Sequence, residues 1–304
     1  MNPIKHIEVK KGMKVSELVS QMSGSGVMGA GRIAKASAIM KDMFADRECS
    51  VFFGLAGAMV PGGMKNIIID LLGSGKIKVF VTTGANLTHD MFEALGFQHF
   101  QGTHNVDDKE LHDKGIDRIY DSFMKNEVYE KLEDFFVKHY DELSKSKTIK
   151  DFLWKLGELI PGENSILKVC FKKKIPVFCP ALADSGIGLM LWGRLAAGKK
   201  FDLPVIEDMK EIISIAWDSK KNGVMYVGGG TPKNFIQQSM QFSKGADYGV
   251  QISTDLPQWG GSSGAELREG ISWGKMHEKG KFIDVYCDAT IALPLIWASV
   301  KDVI

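Results

Sequence analysis

"IKVFVTTGANLTHDMFEALG", residues 77–96, decides the fold. Its opening run is apolar apart from Lys78 and rich in β-branched residues, the pattern of a strand buried on both faces. "TTGAN" is a turn, and "LTHDMFEALG" has helical spacing with Gly96 placed to end it. The unit recurs. "CSVFFGLAG" (49–57) is a strand with "AMVPGG" (58–63) as its turn. "MKNIIIDLL" (64–72) then sets Met64, Ile67, Ile68, Leu71 and Leu72 on one helical face. "IPVFCPAL" (175–182) is a third strand. "EDMKEIISIAWDSKKNG" (207–223) predicts a helix with Met209, Ile212, Ile213 and Ala216 inward and Gly223 closing it. "VMYVGGG" (224–230) is a fourth strand, after which Thr231 is expected to cap and Pro232 to open the helix "TPKNFIQQSMQF" (231–242). "YGVQIST" (248–254) and "FIDVYCDA" (282–289) are further strands.

Buried strands separated by helices specify an α/β fold. The expected architecture is Rossmann-like and doubly wound, a mostly parallel sheet with helices on both faces. Neither an internal repeat nor a low-complexity linker divides the chain, so 1–304 reads as a single domain with a helical insertion at about 105–172. Within the insertion "TIKDFLWKLGELI" (148–160) is a helix whose buried stripe is Ile149, Phe152, Leu153 and Leu156.

Composition excludes several classes. The 304 residues are 44% hydrophobic and 25% charged, as in an ordinary globular protein. A net charge of +1 offers no basic field for nucleic acid. The longest apolar runs are too short to span a bilayer, and "MNPIKHIEVKKGMKVSEL" (1–18) has no apolar signal core, so a cytoplasmic protein is expected. Cys49, Cys170, Cys179 and Cys287 lack paired spacing and read as small core residues. His99, His104 and His112 with Asp107 and Asp108 fit no standard metal site, so no metal is expected.

Three turns, "GLAGAMVPGG" (54–63), "TTGANLTHD" (82–90) and "VGGGTPKN" (227–234), join glycine to small polar residues ahead of a helix. Ligands of such sheets bind where these turns gather, and a helix N-terminus suits a diphosphate. None is a GxGxxG or a P-loop, and each is equally a tight βα turn. A second feature is "SWGKMHEKGKFIDVYCDATIALPL" (272–295), where Lys275 directly follows Trp273-Gly274. A lysine packed against an aromatic wall offers a neutral amine that attacks an imine or carbonyl carbon. Trp273 can supply the wall and Glu269 can hold an ammonium end; the alternative is a solvated surface lysine like Lys279 and Lys281. No nucleophile elbow is present, and His277 reads as an exposed loop histidine.

These segments resemble the deoxyhypusine synthase family. The likeness is carried by "IPVFCPALADSGIG" (175–188), "VGGGTPKNF" (227–235), "GADYGVQIST" (245–254) and "EGISWGKMHEKGKFIDVYCDATIALPL" (269–295), with "GLAGAMVPGG", "VTTGAN" (81–86) and "GIDRIYDSF" (115–123) in the first half. It runs from about residue 26 to 300. The resemblance implies a homotetrameric, NAD-dependent aminobutyl transferase. Spermidine is oxidised beside its secondary amine, and the imine passes to an active-site lysine matching Lys275. It passes next to a lysine of the hypusine-bearing translation factor, where it is reduced. The cofactor site it implies is Gly57, Ala58, Met59, Val60 and Pro61; Thr83, Gly84 and Ala85; Asp184; Gly229; Thr254 and Asp255; Asp288 and Ala289. The amine pocket it implies is Asn234, Gly260, Gly261, Ser262, Glu269, Trp273 and Lys275, with active sites between paired subunits. Better-known eukaryotic members carry histidine at Asn234, acidic residues at Leu189 and Ser262, and glutamate at His89; the present pattern resembles the archaeal and bacterial branch. Two alternative activities are delivery of the same imine to a free diamine, as in homospermidine synthesis, and non-catalytic binding of NAD or a polyamine.

Overall fold

A computed structural model describes residues 1–302. The chain divides into two compact units. The first comprises 1–56, 76–81 and the described residues from 209 on, and the second 57–75 and 82–208.

In the first unit five strands lie side by side in the order Ile77–Thr82, Cys49–Leu55, Lys221–Val227, Ala246–Ser253, Met276–Tyr286. Cys49–Leu55 pairs with Lys221–Val227 in parallel, Val51 opposite Gly223 and Leu55 opposite Val227. The next two pairs are parallel too, with a register shift between Ala246 and Tyr248 at the edge. From Cys49–Leu55 the chain steps one way to Ile77–Thr82; from Lys221–Val227 it steps the other way. The reversal between those two central strands is the topological switch point of a doubly wound fold, where ligands bind beyond the strands' carboxyl ends.

Burial explains the arrangement. Val51, Phe52, Phe53 and Leu55 are at most 1% exposed, so no alternation of polar residues interrupts this strand. Helices cover both faces. A Cβ at Gly223 would meet Met43 Sδ at 2.6 Å, on the face of helix Met28–Ala45. A Cβ at Gly54 would meet Tyr226 at 2.8 Å and Ile236 at 3.2 Å, on the face of helix Gly230–Gln241. Helices Val15–Ser25 and Ala289–Lys301 pack on Met28–Ala45, with Phe44 edge-on to Trp297 at 6.4 Å.

Two local expectations change. Gly223 does not close a helix: Val205–Asp218 ends earlier, and Gly223 sits inside the next strand, where helix Met28–Ala45 leaves no room for a side chain. Thr231 is not the cap: helix Gly230–Gln241 begins at Gly229, which has no side-chain cap.

The second unit is mostly helical. Ile149–Leu159 buries Ile149, Phe152, Leu153 and Leu156 as read from the sequence, and the Thr148 hydroxyl accepts the Asp151 amide at 3.0 Å to cap it. The unit adds a small antiparallel sheet of Phe100–Gln101, Ser122–Lys125 and Ile116–Ile119. Asp90, fully buried, accepts the Ser165 hydroxyl and the Ile166 and Leu167 amides at 2.7–3.1 Å, satisfying the start of helix Ile166–Lys173. No helix of the described residues is long and apolar enough to cross a membrane.

Candidate active site

A cavity of about 360 Å3 opens in the first unit along helix Gly230–Gln241. All seven residues expected to form the amine pocket line it: Asn234, Gly260, Gly261, Ser262, Glu269, Trp273 and Lys275. One wall is helical, because Lys233, Asn234, Gln237, Gln238 and Gln241 recur at helical spacing. The opposite wall is the loop between strands Ala246–Ser253 and Met276–Tyr286, ordered by two 3-10 turns, Pro257–Trp259 and Leu267–Ile271.

Lys275 is held at its backbone from both sides. Its amide donates to Gly270 O at 2.8 Å, and its carbonyl accepts the Ala246 amide at 3.1 Å. Its side chain is half-buried, with Nζ 4.9 Å from the centre of the Trp273 ring. Trp273 is itself 57% exposed, so in the single chain it is a platform beneath the amine rather than the wall of a dry pocket.

The buried lysine is its neighbour. Lys233, 5% exposed in the first turn of the helix, donates to Ala265 O at 2.5 Å. Burial pushes its pKa down to about 8, although Asp284, Glu269 and Asp255 pull it upward. Asp284 shows the converse. It is 7% exposed and burial drives its carboxyl up to about 6, even though it accepts the Leu267 amide at 3.0 Å. Gln237 donates to the hydroxyl of buried Tyr226 at 3.0 Å, which fixes the cavity floor. Sequence reasoning passed over Lys233, Gln237 and Asp284. The available signal was that Lys233, Gln237 and Met240 share the buried stripe with Phe235, Ile236 and Ser239.

None of the expected cofactor residues lines this cavity. Each of those in the first unit lies within three residues of the carboxyl end of a parallel strand. Gly229 follows Lys221–Val227, Thr254 and Asp255 follow Ala246–Ser253, and Asp288 and Ala289 follow Met276–Tyr286. A Cβ at Gly229 would sit 2.4 Å from Ser263 Cα, and Ser263 Oγ accepts the Gly230 amide at 2.9 Å. This glycine therefore lets the cavity loop seat against the helix start. Asp288 caps helix Ala289–Lys301, its Oδ1 accepting the Thr290 amide at 2.7 Å and hydroxyl at 2.6 Å.

The other cofactor positions lie in the second unit. Gly57 and Ala58 are exposed, Met59 and Pro61 are half-buried, and Val60 is core at 2% exposure. The Thr83 hydroxyl accepts the Asn86 amide to cap helix Gly84–Ala94, Gly84 packs on Ser185, Ala85 is exposed, and so is Asp184. His89 continues a chain of side-chain contacts: His89 to His99 at 2.9 Å, His99 to Glu93 at 2.8 Å, and Glu93 to Lys65 at 2.8 Å. Burial, then the neighbouring His99, pushes His89 down to about 4. Leu189 is 54% exposed and Ser262 is exposed. All four cysteines are free, Cys170 and Cys179 fully buried. Among the described residues no three His, Cys, Asp or Glu side chains group as metal ligands.

Comparison with known proteins bears on this geometry. The family model for deoxyhypusine synthase matches residues 17–300. A protein of Archaeoglobus fulgidus named "Probable deoxyhypusine synthase 1" is 43% identical over 295 residues, covering 97% of this chain and 96% of its own. A "Probable deoxyhypusine synthase" of Methanosarcina thermophila is 43% identical over 301 residues, with 98% and 94% covered. A crystal structure from Entamoeba histolytica, assigned as a deoxyhypusine synthase, aligns with a TM-score of 0.67 at 20% identity over 99% of this chain and 97% of its own, a likeness of fold.

Proposed function

Because the chain belongs to the deoxyhypusine synthase family, a family of transferases, we propose that it moves an aminobutyl group from spermidine to a lysine of the hypusine-bearing translation factor, with NAD as cofactor and Lys275 as the carrier. What carries this reading is one cavity. A lysine fixed at its backbone shares it with an aromatic platform, a carboxylate at Glu269 and the amides of Asn234 and Gln238. Those are the groups a transfer through a lysine imine requires: a nucleophilic amine, and partners for the ammonium ends of a polyamine.

The residues at the switch point fit a dinucleotide. Gly228 and Gly230 have φ of +71° and +57°, and a Cβ at Gly228 would come within 3.1 Å of Ala56 O. Glycines with positive φ let a phosphate approach the backbone, and Gly229 brings no capping side chain of its own, the Gly230 amide being taken by Ser263 Oγ. Gly229, Thr254, Asp255, Asp288 and Ala289 would hold the cofactor in the first unit. Gly57 to Pro61, Thr83 to Ala85 and Asp184 are the cofactor residues proposed in the second. When bound, NAD supplies the hydride acceptor for the donor carbon and the hydride for the final reduction. The chain's own residues do the rest. Glu269 and Trp273 hold the cationic amine, and the Lys275 amine attacks the oxidised carbon and displaces 1,3-diaminopropane. The acceptor amine then displaces Lys275. A homotetramer accords with the exposed Leu189, Trp192 and Leu195 on helix Gly186–Ala196, an apolar stripe that further subunits would cover.

The test is borohydride trapping. With NAD and labelled spermidine, wild-type protein should acquire one label on the peptide containing Lys275, and Lys275→Ala none. Wild type that traps no label would end the transferase reading. Supplying the translation factor or putrescine as acceptor then separates protein modification from homospermidine formation.

A further inference from the structure

We propose that Lys233, buried in the wall of the same cavity, is the proton-carrying partner of Lys275: it accepts the proton that Lys275 must shed before attacking carbon and returns it to the amine that leaves. This rests on Lys275 being the carrier.

The geometry comes first. Lys233 and Lys275 line one cavity, Lys233 toward the start of helix Gly230–Gln241 and Lys275 near its middle, where a Cβ on Gly270 would meet Gln237 Oε1 at 3.3 Å and Lys275 Cβ at 3.5 Å. Lys233 is 5% exposed. Among the described residues it has no carboxylate within ion-pair distance, and its one hydrogen bond goes to the Ala265 carbonyl. An ammonium has three donors, and a buried one without an ion pair is costly, so the neutral amine is more accessible there than on an exposed lysine. The charged groups acting on it are Asp284 from strand Met276–Tyr286, Glu269 from the 3-10 turn Leu267–Ile271, Asp255 after strand Ala246–Ser253, and Lys275 itself. The three carboxylates favour its ammonium form, and burial and Lys275 oppose it, leaving the pKa at about 8. An amine that gains and loses a proton near neutral pH is suited to general acid–base work.

The step balances. Protonated Lys275 gives its proton to neutral Lys233, leaving a neutral nucleophile and a lysine ammonium. The Lys275 nitrogen adds to the iminium carbon of the donor. The proton it carries after addition moves to the departing nitrogen, and the carbon–nitrogen bond breaks. Lys275 now holds the iminium, and Lys233 returns its proton to the released amine. No group is oxidised or reduced in this exchange, so it is testable without cofactor.

The experiment uses the full-length protein without NAD, with butanal as the carbonyl probe and cyanoborohydride to fix the imine. Alkylation is mapped to each lysine by peptide mass spectrometry between pH 6.5 and 9.5. In wild type, Lys275 should label faster than the surface lysines, with a rate that rises through a midpoint near pH 8. In Lys233→Met and Lys233→Arg the Lys275 rate should fall about tenfold or more and that midpoint should vanish. The arginine variant keeps the charge but cannot act as a base at these pH values, so it separates proton transfer from electrostatics. Wild-type rate and profile in the Arg variant would overturn the proposal. So would a wild-type profile without a break near pH 8, a result that needs no variant to fold. If Lys275 in wild type labels no faster than exposed lysines, the carrier role fails too, an outcome distinct from selective labelling that ignores Lys233.

Discussion

Replacing Asp284 by Asn should stabilise the protein, and more so at pH 7 than at pH 5. Asp284 is 7% exposed, and burial raises its carboxyl from the ordinary 3.8 to about 6. A carboxylate with a raised pKa binds its proton more readily in the folded than in the unfolded state, so stability falls as pH rises from about 4 to about 6. At about 1.4 kcal/mol per pH unit, the gap between 3.8 and 6 makes the penalty about 3 kcal/mol at pH 7, and roughly half of that at pH 5. Asparagine keeps an oxygen for the Leu267 amide, which now bonds to Asp284 Oδ1 at 3.0 Å, but gives up the charge assistance, worth about 1 kcal/mol. The net gain is therefore about 1–2 kcal/mol at pH 7, and the advantage shrinks by about 1 kcal/mol at pH 5. The attraction of Lys233 for the Asp284 carboxylate, which lowers that pKa, is already contained in the value of about 6. Urea titrations of both proteins at the two pH values, compared at equal m-value, measure the difference. A variant less stable than wild type at pH 7, or an equal difference at both pH values, would show that the buried carboxylate is not held at a cost.

Two further outcomes follow from the cavity. Trp273→Ala removes the ring 4.9 Å from Lys275 Nζ, an exposed cation–π contact worth about 0.5–1 kcal/mol, so borohydride-trapped adduct should form about two- to fivefold more slowly while urea stability moves by less than about 0.5 kcal/mol; a stability loss without a slower rate would place Trp273 in packing alone. Gly229→Ala puts a Cβ 2.4 Å from Ser263 Cα and should cost about 1–3 kcal/mol, whereas Gly261→Ala, with nothing within 4 Å, should be close to neutral in the same urea assay, and the reverse order would contradict the seating of the loop.

The parts of the molecule read from sequence were those set by local pattern. Continuous apolar strands followed by glycine turns gave the parallel sheet. The stripe of Ile149, Phe152, Leu153 and Leu156 gave a helix with that stripe buried. The run from Gly260 to Lys275 brings most of its pocket residues together because they are near one another along one loop. What only the tertiary structure decided are the features that depend on a distant neighbour. Gly223 looks like a helix stop until Met43 is found against it, 180 positions earlier in the chain. Lys233 looks like a solvated lysine at a helix start until Ala265 and the cavity loop close over it. Asp284 alternates into the sheet's interior only because Met276–Tyr286 pairs where it does, with its shifted register. Burial is a property of the assembled chain, and burial changes which protonation state a side chain prefers. Sequence could therefore name the lysine beside the tryptophan, whereas the fold alone revealed the second lysine and the carboxylate whose proton affinities are altered around it.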